Sequence, residues 1–299
     1  MSRFKDIARI LRDGGVKGAW ECLRADRIEK VFSTIIDTNK NTNIEIHILT
    51  GKDRIVMALW MVASWIAATE LNWKLVFHDD GTLHQSDSDK LQDMLPLVRV
   101  ILSEESDHIM REILKEYPKS WECRNIHPLS RKLFDIPFFS ENQSFLALDT
   151  DILFFSKPHR ILDWLNTPGQ SSLFMRDVSE NTLPAAVQAA QIFDTIVVPY
   201  VNTGIVAINR KVLNLEKIEC CLASSPVLLG DRWFIEQSLY AVMASIDGRV
   251  DFLDPKHYQL TLNGKKYPDS ICRHYVGKIR HMFYSEGIPG VRDILCSCG

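Results

Sequence analysis

The stretch Phe145-Leu-Ala-Leu-Asp-Thr-Asp-Ile-Leu-Phe-Phe155 carries two carboxylates, Asp149 and Asp151, one residue apart after an apolar run. In extended chain, residues two apart point the same way. Two like charges at the end of an apolar strand are costly unless a cation compensates them. Oxygen ligands suit Mg²⁺ or Mn²⁺. Asp-x-Asp alone is equally the solvated end of a strand, so the reading depends on what converges with it. A second group, His274-Tyr-Val-Gly277-Lys-Ile-Arg280, ends a late strand. There His274 is placed to complete a metal site with Asp149 and Asp151. Gly277 permits close approach of backbone to a phosphate, and Arg280 offers charge to a diphosphate.

The elements that must position these residues follow from hydrophobic periodicity. Asn43–Leu49 alternates as a strand, Thr50-Gly51 turns, and a buried helix spans Ile55–Thr69. Trp73–His78 reads as a second strand ending in Asp79-Asp80-Gly81, residues 88–94 as a helix, and Leu97–Leu102 as a third strand. A helix over Ser106–Tyr117 follows, with Ser106 or Asp107 as its cap. Alternating strands and helices predict a parallel sheet with crossover helices, whose ligands bind at the carboxyl ends of strands. Thr50-Gly51, His78-Asp79-Asp80 and Asp149-Thr150-Asp151 all fall at such ends. Further on, the pattern predicts a helix over Lys157–Leu165 and a strand over Ser172–Met175. A helix from Pro184 through Phe193 is ambiguous. Tyr200–Arg210 turns into a buried strand, helices run over Lys211–Leu222 and from Gly230-Asp231 to Ala244, and strands over Arg249–Leu253 and Ile271–Val276. The expected architecture is an α/β/α sandwich with a mostly parallel central sheet.

Three regions are expected: a helical N-terminal extension over 1–42, a main domain over 43–285 and a tail over 286–299. Asp37–Asn43 is read as a polar linker. In the extension, Phe4, Ile7, Ile10 and Leu11 recur at helical spacing, Gly14-Gly15 breaks the run, and Trp20 and Leu23 are read as the apolar side of a second helix. Residues 1–32 hold eight Lys/Arg against five Asp/Glu. The plainer expectation is an amphipathic extension docked on the main domain. The sharper one is a weak contact with an anionic membrane surface or a partner.

Composition narrows the classes. An apolar content of 46% and charged content of 24% belong to an ordinary globular chain, and a net charge of −3 gives no reason to expect nucleic acid. Seven cysteines scattered over 299 residues suggest reduced thiols, and the first residues lack the apolar core of a signal peptide. A cytoplasmic protein, peripheral to the membrane at most, is expected. The apolar run Ile55–Ala68 is shorter than the ~20 residues that span a bilayer. Cys296-Ser-Cys298 lacks the four ligands of a structural metal site and reads as an exposed tail. Asp79-Asp80-Gly81-Thr82-Leu83 has the outline of a haloacid-dehalogenase phosphatase loop. However, His78 stands where that chemistry needs a nucleophilic Asp.

With these residues in view, the chain resembles GT-A-fold glycosyltransferases, nearest to the retaining family 8 group that uses UDP-sugars. The resemblance covers roughly residues 43–285. It is carried by Leu148-Asp149-Thr150-Asp151, by Lys132-Leu133 about 17 residues earlier (Arg131 being the neighbouring alternative), and by Asn202-Thr203-Gly204 before a buried strand. Glu236-Gln237 stands for the family's Asp-Gln, and His274-Tyr-Val-Gly-Lys-Ile-Arg280 for its late His-to-Lys motif. Thr203, Glu236 and Arg280 depart from the family's commonest residues, and His281-Met282 stands for Pro-Trp.

The resemblance implies transfer of a sugar from a nucleotide-diphosphate donor, a UDP-sugar, to an acceptor hydroxyl. Asp149, Asp151 and His274 would hold Mn²⁺ or Mg²⁺, with Asp149 also touching ribose. Thr50, Gly51 and Asp79 would line the base and ribose pocket. Lys132, Thr150, Gly277 and Arg280 would meet the nucleotide, and Asn202, Glu236 and Gln237 the sugar. The acceptor, whether glycan, lipid-linked or protein, stays open. A nucleotidyltransferase and a non-catalytic sugar-nucleotide-binding protein are the alternatives. The first would want a Gly-rich basic loop where His47–Asp53 is poor in Gly.

Overall fold

The computed structural model describes residues 2–25, 28–29, 31–32, 40–95, 97–167 and 171–297. The first half holds strands β1 (Lys40–Thr50), β2 (Leu71–Asp79), β3 (Val98–Ile101), β4 (Ser144–Leu148) and β5 (Ile152–Phe154). The second half holds β6 (Ser172–Arg176), β7 (Val201–Asn209), β8 (Val250–Phe252), β9 (Tyr258–Gln259) and β10 (Cys272–His274). The helices up to the Asp-x-Asp stretch are α1 (Ser2–Ala25), α2 (Ile55–Thr69), α3 (Gln85–Met94), α4 (Ser103–Ile113), α5 (Pro118–Ile126) and α6 (Ser130–Phe139). After it come α7 (His159–Asn166), α8 (Pro184–Ala190), α9 (Leu215–Ser224), α10 (Ile235–Asp247) and α11 (Ile288–Ser297).

Seven strands form the central sheet in the order β3-β2-β1-β4-β7-β6-β8, and β5-β10-β9 form a small second sheet. Strands β3, β2, β1 and β4 are mutually parallel, and only β7 runs against its neighbours. The mostly parallel sheet is therefore as expected, with one reversal where β7 enters.

Alternation along the central strands divides two cores. Leu146 and Leu148 of β4, with Ile205 and Ala207 of β7, face the core built on α2, β5 and α11. Phe145, Ala147, Val206 and Ile208 face the opposite core, built on α5, α6, α8, α9 and α10. Helices on both faces of one sheet make the α/β/α sandwich. Helix α2 is buried almost all round, as its unbroken apolar run requires. No helix among the described residues is long and apolar enough to cross a membrane.

Several boundaries are corrected. Strand β1 starts at Lys40 rather than Asn43, so residues 40–43 are strand and not linker, and residues 37–39 lie outside the described residues. Helix α4 starts at Ser103, so neither Ser106 nor Asp107 caps it. The Ser103 N–H instead donates to Asp79 Oδ2 at 3.0 Å, and Ser106 Oγ accepts from Arg124 Nη2. Helix α9 starts at Leu215 because Asn214 caps it. Helix α10 starts at Ile235, after Asp231 has accepted the N–H groups of Trp233 and Phe234. The tail from 286 is not loose: α11 begins at Ile288, and Ile288 and Val291 are fully buried. Cys296 is exposed, and Cys298 lies outside the described residues.

Helix α1, Ser2–Ala25, is docked on the body. Gly15 takes φ 65° inside α1, a conformation open to glycine, and the helix bends there. The apolar-side assignment is reversed, however. Trp20 and Leu23 are exposed, while Gly18, Ala19, Glu21 and Ala25 face the body. Periodicity finds a stripe, but here the packed stripe is made of small residues.

Candidate active site at the end of β4

Strand β4 delivers Asp149 and Asp151 into the turn before β5, and Thr150 sits buried between them. The acids lie in that turn between two strands of different sheets, rather than along one continuous strand. The Asp149 N–H donates to Gly204 O at 2.8 Å, which ties the turn to β7. Strand β10 runs antiparallel to β5, pairing His274 with Ile152, so the imidazole arrives beside Asp151.

His274 Nε2 stands 3.0 Å from Asp151 Oδ1 and 3.8 Å from Asp149 Oδ2. One ligand atom from each of Asp149, Asp151 and His274 lies within 4.8 Å of the others, a donor set of two carboxylates and one imidazole that can hold a metal ion. On the other ring nitrogen, Asn202 Oδ1 lies 3.2 Å from His274 Nδ1 and also accepts the Gly204 N–H. Asn202 Nδ2 donates to Asp177 Oδ2. A carboxamide oxygen on Nδ1 orients the ring and presents Nε2 to the acids. A Cβ added at Gly204 would lie 2.5 Å from His274 Nδ1, so the ring packs where only glycine leaves room.

The charges are closely paired. Arg280 donates to Asp151 Oδ2 through Nε at 3.1 Å and Nη2 at 3.0 Å. Burial pushes the Asp151 carboxyl up, but His274 and Arg280 outweigh it and hold the group below the usual carboxylate range. Burial likewise lowers His274, and Asp151 and then Asp149 reverse it, leaving the imidazole above its ordinary value.

Lys132, on α6, donates to Asp149 Oδ1 at 2.8 Å and to Thr203 O at 2.7 Å, and lies 3.5 Å from Glu236 Oε1. Its neighbour Arg131 points to Asp107 and Ser106 instead. Burial depresses the ammonium, but Asp149 and Glu236 more than restore it.

Helix α10 opens on Glu236 and Gln237. Glu236 Oε2 accepts from Thr203 Oγ1 at 2.9 Å. Burial raises the Glu236 carboxyl, Lys132 pulls it back and Asp149 raises it again, to about 7. Gln237 Nε2 is buried without a hydrogen-bond partner, and Glu236 Oε1 has only its 3.5 Å ion pair with Lys132. A buried donor without a partner, next to a carboxylate oxygen held only by one long ion pair, is what a polyhydroxylated ligand would satisfy.

The remaining sequence candidates sit around this core. Thr50 and Gly51 end β1, where a Cβ on Gly51 would lie 2.1 Å from Asp80 Oδ1. Asp79 is buried and committed to backbone: Oδ1 accepts the N–H groups of Gly81, Thr82 and Leu83, and Oδ2 that of Ser103. Its carboxylate therefore shapes the β2 loop. Gly277, at φ 60°, and Arg280 line a cavity of about 70 Å³ together with Asp53 and Arg54 just after β1. That cavity connects the 277–280 turn with the end of β1.

Three contributors escaped the sequence reading. Thr203 links Lys132 to Glu236, Asp177 anchors Asn202, and Tyr240 OH donates to Lys132 O at 2.9 Å. Thr203 was visible only as a departure from a motif. Nothing in the local sequence marked Asp177 or Tyr240.

No protein-family model matches the chain, and no curated protein does. Solved structures do. The galactosyltransferase LgtC, in complex with donor and acceptor sugar analogues, aligns at a TM-score of 0.55 with 14% identity, over 85% of this chain and 96% of that one. The glycosyltransferase GlyE of Streptococcus pneumoniae TIGR4 aligns at 0.50 with 13% identity, over 86% of this chain and 63% of that one. The chain spans 51% of the bifunctional glycosyltransferase WbbM, at a TM-score of 0.49 and 14% identity over 85% of this chain. Identities this low show a shared fold, and the fold is that of the GT-A glycosyltransferases.

Proposed function

We propose that the chain is a metal-dependent glycosyltransferase moving a hexose from a nucleotide-diphosphate donor, a UDP-sugar, to an acceptor hydroxyl in glycan or glycolipid synthesis. The observation that carries this reading is the Asp149–Asp151–His274 cluster at the carboxyl end of a central strand, beside Glu236 and the unpartnered Gln237 Nε2. Parallel α/β sheets bind ligands at that edge. Two carboxylates and one imidazole fit Mn²⁺, whose tolerance of nitrogen exceeds that of Mg²⁺. The bound ion would supply electrostatic stabilisation of the leaving diphosphate.

The chain's own residues then divide the work. Arg280, whose guanidinium is a third exposed, is placed to turn from Asp151 to a diphosphate oxygen. Lys132 is bound on three sides and holds Asp149 and Glu236 in register, so its part is positioning. Gln237 Nε2 and Glu236 Oε1 meet sugar hydroxyls or the reacting carbon. Asn202, expected on the sugar, acts here through His274. Thr50, Gly51 and Thr150 complete the nucleotide side, and Asp79 shapes its loop.

We favour retention of anomeric configuration. Glu236 is clasped by Thr203 and Lys132, which restricts its movement toward an acceptor hydroxyl, and the departing phosphate can take the acceptor proton. NMR of the sugar released by slow donor hydrolysis reads this out: the donor's own anomer is expected first, and the opposite anomer would make Glu236 a general base.

A thermal-shift screen of nucleotide sugars with and without Mn²⁺ tests the reading. A matched donor at ~100 times its dissociation constant should add about 2.7 kcal/mol, and only with the ion present. Stabilisation without donor hydrolysis would favour a non-catalytic binding protein. Stabilisation by a nucleoside triphosphate alone would favour a nucleotidyltransferase.

A further inference from the structure

Helix α1 has two faces that differ in kind. Its inner face is pinned to the body: Arg292 Nη1 donates to Glu21 Oε2, Trp60 Nε1 donates to Ala25 O, and Gly14 packs on His281. Its outer face carries Val16 at 78%, Trp20 at 59% and Leu23 at 50% exposure. Spacings of four and three place these three on one stripe, and exposed Lys17 and Arg24 run beside it. Leu11, before the bend at Gly15, adds a fourth exposed apolar side chain. The docked body fully explains the inner face, but nothing among the described residues covers the outer one.

We propose that this outer face of α1 lies on an anionic lipid surface. Three features select a bilayer over a protein groove. Cations border the apolar stripe, while Glu21 is buried against Arg292 and Asp13 pairs with Arg12. Residues 1–32 hold three more basic than acidic groups, although the whole chain is at −3, so charge is polarised toward this end. The stripe centres on a tryptophan, whose amphipathic ring suits the headgroup boundary, with aliphatic neighbours to enter the acyl edge. A stripe this narrow gives weak, reversible and salt-sensitive binding.

The geometry also places the site relative to the surface. Ile10 and Asp13 of α1 line the cavity shared with Gly277 and Arg280, so the helix that meets lipid forms a wall beside the candidate active site. The site would work at the lipid–water boundary, where an acceptor on a lipid carrier is presented.

Flotation of the full chain with vesicles tests this. The probes are phosphatidylcholine alone and phosphatidylcholine with about a third phosphatidylglycerol. Binding is expected only to the anionic vesicles and should weaken as salt rises. Trp20→Glu with Leu23→Glu should reduce partitioning about tenfold or more, and Lys17→Glu by a smaller factor. All three side chains are exposed, so melting temperature and nucleotide-induced stabilisation should stay unchanged. This keeps failure here separate from failure of the glycosyltransferase reading. Three results would overturn the proposal: no binding of the intact chain to anionic vesicles, equal binding of the stripe variants, or a stripe-dependent dimer by light scattering without vesicle binding.

Discussion

Gly204 shows how tightly the candidate metal ligands are held. His274 Nδ1 occupies the space where a Cβ would stand, and Asn202 Oδ1 bridges the two residues. Gly204→Ala should therefore displace the imidazole and weaken Mn²⁺ binding about tenfold, measured by electron paramagnetic resonance of the free ion. Unchanged affinity would make His274 a packing residue. Glu236 yields a pH prediction. Its carboxyl is raised from the ordinary 4.5 to about 7 in the fold, so the folded state binds a proton that the unfolded state has released. That contribution is fully present below about 4.5 and is lost as pH rises through about 7. Glu236→Gln keeps an acceptor for Thr203 and cannot ionise. Its melting temperature should gain on the wild type between pH 5 and pH 8, by the equivalent of about 1–2 kcal/mol. Parallel melting curves for both proteins would contradict a raised carboxyl.

At the scale of elements, α5 and α6 matter because α6 carries Lys132. They are joined by Arg124, fully buried, which donates to both oxygens of Asp135 at 2.6 and 2.8 Å and to Asp107 on α4 at 2.7 Å. Removing one partner of such a pair strands a buried charge. Arg124→Ala should cost about 3–5 kcal/mol in urea unfolding. Arg124→Lys should recover little, because an ammonium cannot reproduce the planar two-point contact. A loss under about 1 kcal/mol for Arg124→Ala would show that the helices are held by apolar packing alone.

At the scale of the molecule, much was legible because it is written locally. Apolar alternation marks β1, apolar runs mark β4 and β7, and a longer unbroken run marks α2. Asp149, Asp151, Lys132, Glu236 and His274 carry their chemistry in residue type and order, and the fold brings them together across more than 140 residues of chain. Long-range partners were not legible. Asp177 and Tyr240 act through contacts that no neighbouring residue predicts. Helices α5 and α6 were missed because their buried faces include Arg124, Lys132 and Asp135, charges that cancel only after folding. Helix α11 was hidden by Pro289 and Gly290, which read as breakers but fall within its first turn. In α1 the stripe was found and assigned to the wrong side, because the small residues Gly18, Ala19 and Ala25 allow the closer approach.

The central claim is that Asp149, Asp151 and His274 form a metal–diphosphate site. Calorimetric titration of UDP into Asp151→Ala, with Mn²⁺ present and the fold checked by circular dichroism, tests it most directly. The intact chain should bind UDP only with the ion, and Asp151→Ala should not bind UDP at all. Equal UDP affinity in the two proteins in the presence of Mn²⁺ would contradict it.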